Sequence, residues 1–141
     1  MTTTISPRRL EVQLMVDHPQ LQSAELEKLL TLPADEHWDV GQSYRPTPNS
    51  PEQRYQFSRW ALRAVANSLD ELADVMQVLT QRIRGIEQKF HLLPSDSTVS
   101  LTLFVTETDT VIGMGIDAEA IKLLARINAG IEVSLVVTAS D

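Results

Sequence analysis

The chain has 141 residues, 43% apolar and 22% charged, which suits one globular domain able to fold without a metal or disulfide staple. It contains no cysteine, so disulfide scaffolds, thiolate zinc sites, iron–sulfur clusters and cysteine nucleophiles are excluded. Lys+Arg is 12 and Asp+Glu is 19, a formal charge of −7. That is opposite to the basic footprint of a nucleic-acid binder, and no apolar run approaches the roughly 18 residues of a membrane span.

Residues 1–9 are polar and Thr-rich and are expected to form a flexible segment before a single domain over 10–139. They have no apolar core, so no secretory signal is expected and the protein is assigned to the cytoplasm. Leu10, Val12, Leu14 and Val16 alternate with Glu11, Gln13 and Asp17, the period-two pattern of a half-buried strand. His18-Pro19 ends it, because proline cannot donate to the ladder. Leu26, Leu29 and Leu30 form the apolar stripe of a short helix, with Ser23 as its expected N-cap and Pro33 as its stop.

The stretch 33–54 is rich in proline and reads as one long loop. Trp38 and Tyr44 within it argue for a docked rather than a free segment. A second strand is expected over Tyr55–Val65, with Trp60, Leu62 and Ala64 on one face and Arg59, Ala61 and Arg63 on the other. Ser68-Leu69-Asp70-Glu71 fits a capping box and opens a long helix. Its apolar positions Leu69, Leu72, Met76, Leu79, Ile83, Ile86 and Phe90 are spaced as a heptad seam. Ala73 and Val75 broaden that seam, which favours packing on a sheet over a coiled coil.

Val99–Glu107 alternates again, and Val111–Ile116 reads as a short returning strand. Asp117 caps a third helix ending near Asn128, and Ile131, Val133, Leu135 and Val137 mark a last strand. A sheet covered on both faces would show near-continuous apolar runs, and here the strands alternate. The expected fold is therefore α+β: a two-layer sandwich of four to five strands, mixed or antiparallel, with three helices on one face.

The densest group of potential ligands is Asp35, His37 and Asp39, which could hold a divalent cation or sit beneath a lid formed by the loop together with Arg45. A solvated acidic loop explains them more simply, and neither a metal nor a cofactor is expected. His18 reads as a surface turn residue and His91 as a partner of a helix C-terminus. Gly113-Met114-Gly115 leads into an acidic cap, which would repel a phosphate. No nucleophile elbow occurs, so no catalytic residue is assigned. The polar sheet face carries Arg59 and Arg63, expected to pair with Glu11 or Glu132, beside Met15, Phe104 and Val136. Met15 and Phe104 among polar residues suggest a contact surface.

Leu26, Leu29 and Leu30 before Pro33, Trp38 and Gly41 in the loop, and Trp60 in the strand before a long helix carry a resemblance. So do Gly115-Ile116-Asp117, Ile121 to Leu124, and Gly130 to Val133. Together they resemble the bacterial family of unknown function DUF4279 over about 10–137. At two points the chain departs from the family pattern, with Val40 where a basic residue is usual and Val136-Val137 in place of an acidic and aromatic finish. The resemblance implies a small bacterial cytoplasmic α+β protein and supplies no catalytic residues.

The expected function is a non-catalytic protein-binding domain, more sharply an immunity-type protein that neutralises a basic toxin. Its candidate contacts are Trp38, Tyr44, Arg45, Arg59, Arg63, Phe104 and Met15. The alternatives are a structural homodimer, held by an edge strand or the long helix, and a small-ligand or metal-binding protein using the loop. Neither nucleic acid nor a membrane is an expected partner.

Overall fold

The computed structural model describes residues 9–66, 71–107 and 116–137. Its strands are β1 (Arg9–His18), β2 (Glu36–Trp38), β3 (Ser43–Tyr44), β4 (Gln53–Arg54), β5 (Ser58–Ala66), β6 (Thr98–Glu107) and β7 (Gly130–Val137). Its helices are α1 (Ser23–Leu30), α2 (Leu72–Ile83), α3 (Glu87–Phe90) and α4 (Ala118–Arg126). A mixed five-stranded sheet runs β2-β5-β1-β6-β7, and β3 and β4 form a separate two-stranded hairpin. The central strand β1 is antiparallel to both β5 and β6, β2 is antiparallel to β5, and β7 is parallel to β6. The fold is thus the expected α+β sandwich.

Strand register follows the alternation. Leu10, Val12, Leu14 and Val16 lie opposite Ala66, Ala64, Leu62 and Trp60 on one side and Val105, Leu103, Leu101 and Val99 on the other. A one-residue slip would turn this whole set away from the core. These side chains and those of all four helices form a single apolar cluster, so the helices share one face of the sheet. Leu72, Met76, Leu79, Ile83 and Phe90 are buried in that cluster. The heptad seam is therefore committed to the sheet.

Four expectations need correction. The long helix is interrupted: α2 ends at Ile83, Gly85 lies between, and α3 is four residues long. Glycine is a poor helix former, and the apolar spacing that continues past it cannot reveal the break. The second strand begins at Ser58 rather than Tyr55. Ser23 is the first residue of α1 rather than its cap; Gln22 holds the cap position and has no side-chain cap bond. The stretch 33–54 is not one loop, since it supplies β2, β3 and β4. The Ser68 cap position and the glycines at 113 and 115, with most of the expected strand at 111–116, lie outside the described residues. Among the described residues no helix is long and apolar enough to cross a membrane.

Candidate partner-binding surface

β2 has a face on each layer, and its register divides the work of its residues. Glu36 and Trp38 pair with Ala61 and Arg59 and therefore lie on the face that carries no helix among the described residues, while His37 pairs with Trp60 on the helix side. The odd-numbered residues 35, 37 and 39 bond into the helix layer and its neighbours. Asp35 makes a bidentate pair with Arg82 of α2 and accepts the Arg63 N–H at 2.8 Å. His37 Nδ1 lies 3.3 Å from Ser23 Oγ. Asp39 Oδ1 accepts the Ser23 N–H at 2.7 Å, satisfying one of the free donors at the start of α1 from a distant part of the chain.

These bonds leave a mark on titration. The Arg82 hydrogen bond holds the Asp35 carboxyl below its ordinary value, with the Arg63 N–H adding to it against partial burial. The Ser23 N–H does the same for Asp39. The three residues read from spacing as potential metal ligands thus take separate structural roles. Among the described residues no group of three or more His, Asp or Glu side chains is arranged to hold a metal ion.

The even side of β2 builds a different object. The Trp38 indole stacks on Tyr55 with centroids 4.4 Å apart and planes 10° from parallel. Tyr44 stacks on the far side of Tyr55 at 4.1 Å and 18°. The Arg59 guanidinium lies over Trp38, 4.6 Å from the ring centroid, and Phe57 flanks both. The result is a column in the order Tyr44, Tyr55, Trp38, Arg59. The rings are stacked near-parallel, with a cation on the indole face.

Each layer is pinned. Trp38 Nε1 donates to the Phe57 carbonyl at 3.1 Å, and the Tyr44 hydroxyl donates to Gln53 Oε1 at 2.9 Å. Arg59 makes two bonds to Asp17, at 2.7 and 2.8 Å. Gly41 turns the chain between β2 and β3 with φ +84, a conformation that favours glycine. Its N–H and the Tyr55 N–H then cross-link the hairpin, bonding to Tyr55 O and Gln42 O. Tyr44 has no ring or cation partner on its outer face among the described residues.

The other expected contact residues are spread more widely. Arg45 is exposed and donates to the Ser50 carbonyl within the β3–β4 hairpin. Arg63 pairs with Glu11 at 2.7 Å, whereas Arg59 chooses Asp17 over Glu132, because Asp17 lies directly across from it on β1. Phe104 is half-buried opposite Glu11 on β6. Met15 departs from the expectation of an exposed residue: it is 4% exposed, between the small Ala61 and Ser100 of the flanking strands. Its place on the central strand explains the burial.

His18 is a second correction. It is only 4% exposed, and Nδ1 accepts the N–H groups of both Gln20 and Leu21, at 3.0 and 2.9 Å. That bonding leaves the ring proton on Nε2, which faces Asp96 Oδ1 at 2.8 Å. The sequence alone places His18 in a wet turn and Tyr55 at a strand start, and gives neither a place in a site. The aromatic spacing 38, 44, 55, 57 carried the one available signal.

Architecture and surface define a class: a two-layer α+β domain that adds a stacked aromatic edge to its helix-free side. The family model for a domain of unknown function, DUF4279, matches residues 8–138, and the chain belongs to that family. No curated protein and no solved structure matches it.

Proposed function

We propose that this domain is a non-catalytic protein-binding module of the bacterial cytoplasm whose contact surface is centred on the Tyr44–Tyr55–Trp38–Arg59 column. The observation that carries this reading is the column itself. Large planar side chains are held in fixed positions near the surface, so little conformational entropy is lost when a partner settles on them. The −7 charge favours a basic partner and speeds the encounter, which fits an immunity-type protein that neutralises a basic toxin. The donors of the alternative ligand-binding reading, Asp35, His37 and Arg45, are engaged within the fold.

The test is binding of the purified products of adjacent genes to the full chain, measured by biolayer interferometry, with protection from any toxic activity as a second readout. One of them is expected to bind, and Tyr44→Ala is expected to weaken it at least tenfold, about 1.4 kcal/mol, at unchanged folded-state circular dichroism. Absence of binding and of protection removes the immunity reading. Binding that ignores Tyr44 moves the contact surface elsewhere.

A structural homo-oligomer is favoured by one observation. Among the described residues β7 is an eight-residue edge strand with Ile131 44% and Val133 53% exposed, and it carries no lysine or proline to block pairing. Light scattering of the wild type and of Val133→Lys checks it. A dimer that the substitution splits supports the reading, and a strictly monomeric wild type removes it.

A further inference from the structure

A cavity of about 220 Å³ opens beside the Arg59 end of the column, lined by Asp17, His18, Pro19, Phe57, Asp96 and Thr98. Its two carboxylates differ. Asp17 is neutralised by the bidentate bond from Arg59. Asp96 carries no opposing charge: its side chain is 55% exposed, and the one hydrogen bond it makes is to His18 Nε2. No other hydrogen bond or ion pair reaches it among the described residues.

The imidazole that holds this carboxylate is built into the fold. His18 is almost fully buried at the end of the central strand, and its other nitrogen is saturated by two backbone N–H groups. The ring cannot rotate without leaving two donors unbonded. Asp96 is therefore aimed by a fixed donor on one oxygen while its second oxygen stays available. Exposed aspartates on irregular chain are ordinarily free to turn, and this one is not. Phe57 and Pro19 add an apolar wall beside it, suited to a methylene stem, and Thr98 supplies a hydroxyl.

We propose that this cavity receives one basic side chain, an arginine or lysine, from the protein partner, with its charged head on Asp96 and its stem along Phe57. The inference rests on the reading of the domain as a binding module and supplies the partner's chemistry at one point. Charge complementarity selects the occupant: of the two carboxylates lining the cavity, Asp96 is the one without a counter-ion among the described residues, in a chain of net charge −7.

The experiment is a ¹H–¹⁵N titration of the full chain with acetyl-Gly-Arg-Gly-amide at low ionic strength. The control peptide carries citrulline, which keeps the shape of arginine and removes its charge. Saturable shifts are expected at the amides of His18, Phe57, Asp96 and Thr98, at least tenfold weaker binding is expected with citrulline, and a similar loss in Asp96→Asn. Asparagine keeps an oxygen for His18, so the cavity stays shaped. Tyr44→Ala is expected to bind the peptide as the wild type does, which separates this site from the open end of the column. Shifts that are absent, unsaturable or equal for both peptides overturn the proposal. The citrulline comparison on wild type decides the matter even if Asp96→Asn fails to fold. A partner that depends on Tyr44 while the arginine peptide does not bind sinks the cavity and leaves the column reading standing.

Discussion

Trp60 and Trp38 sit on neighbouring strands, one position apart in register, and face opposite sides of the sheet. Each indole N–H finds a backbone carbonyl: Trp60 bonds to Leu32 O at 2.9 Å and Trp38 to Phe57 O at 3.1 Å. There the likeness stops. Trp60 is wholly buried, meets Phe90 edge to face, and is surrounded by aliphatic side chains of the helix layer. Trp38 is half-buried, lies flat on Tyr55, and carries a guanidinium on its other face. One residue type therefore does two jobs, set by which side of the pleat it occupies. The helix side is held by volume and exclusion of water, and the open side by orientation of planes and charges.

That contrast breaks most visibly at Trp60. Trp60→Ala leaves a cavity in a closed core and is expected to cost about 3–5 kcal/mol in chemical denaturation. Trp38→Ala removes two ring pairs at a partly wet site, about 0.5–1.5 kcal/mol each, for a loss of about 1–3 kcal/mol. If the two substitutions cost the same, the distinction between core and column fails. Next in size is Asp39→Ala, which frees the Ser23 N–H at the start of α1 and is expected to cost about 0.5–2 kcal/mol, read from the thermal midpoint.

The smallest effect sharpens the comparison through pH. Asp35 and Asp39 both have folded-state values held below the ordinary 3.8. Their contribution is therefore fully present above pH 3.8 and disappears as pH falls below it, through the lowered folded-state values. The difference in thermal midpoint between wild type and Asp35→Asn should hold steady above that point and shrink below it. A gap that widens on acidification would contradict the assigned bonds.

Much of this architecture can be read from the alternation at 10–16 and 99–105, because a half-buried strand imposes period two on its residues. The short strand β2 cannot be read that way. Three residues give no period, and Glu36-His37-Trp38 has no apolar alternation because its two faces serve a polar helix seam and an aromatic stack. The acidic residues at 35 and 39 looked like ligands for the same reason: spacing reports that they share a side, and only the fold reports that Arg82 and the Ser23 N–H occupy it. His18 was hidden by its neighbours, since Asp17 and Pro19 suggest a wet turn while the ring itself folds inward onto two backbone amides. The burial of Met15 has a different cause. Alternation assigns a face, and burial on that face depends on the flanking strands, where Ala61 and Ser100 are small.

The account depends on the open-face column being as rigid as the core, so that it can act as a preformed anchor. The direct measurement is ¹⁵N relaxation of the two indole N–H groups in the full chain. Order parameters near about 0.85 for both Trp38 and Trp60 are predicted, and a value under about 0.6 for Trp38 alone would contradict it.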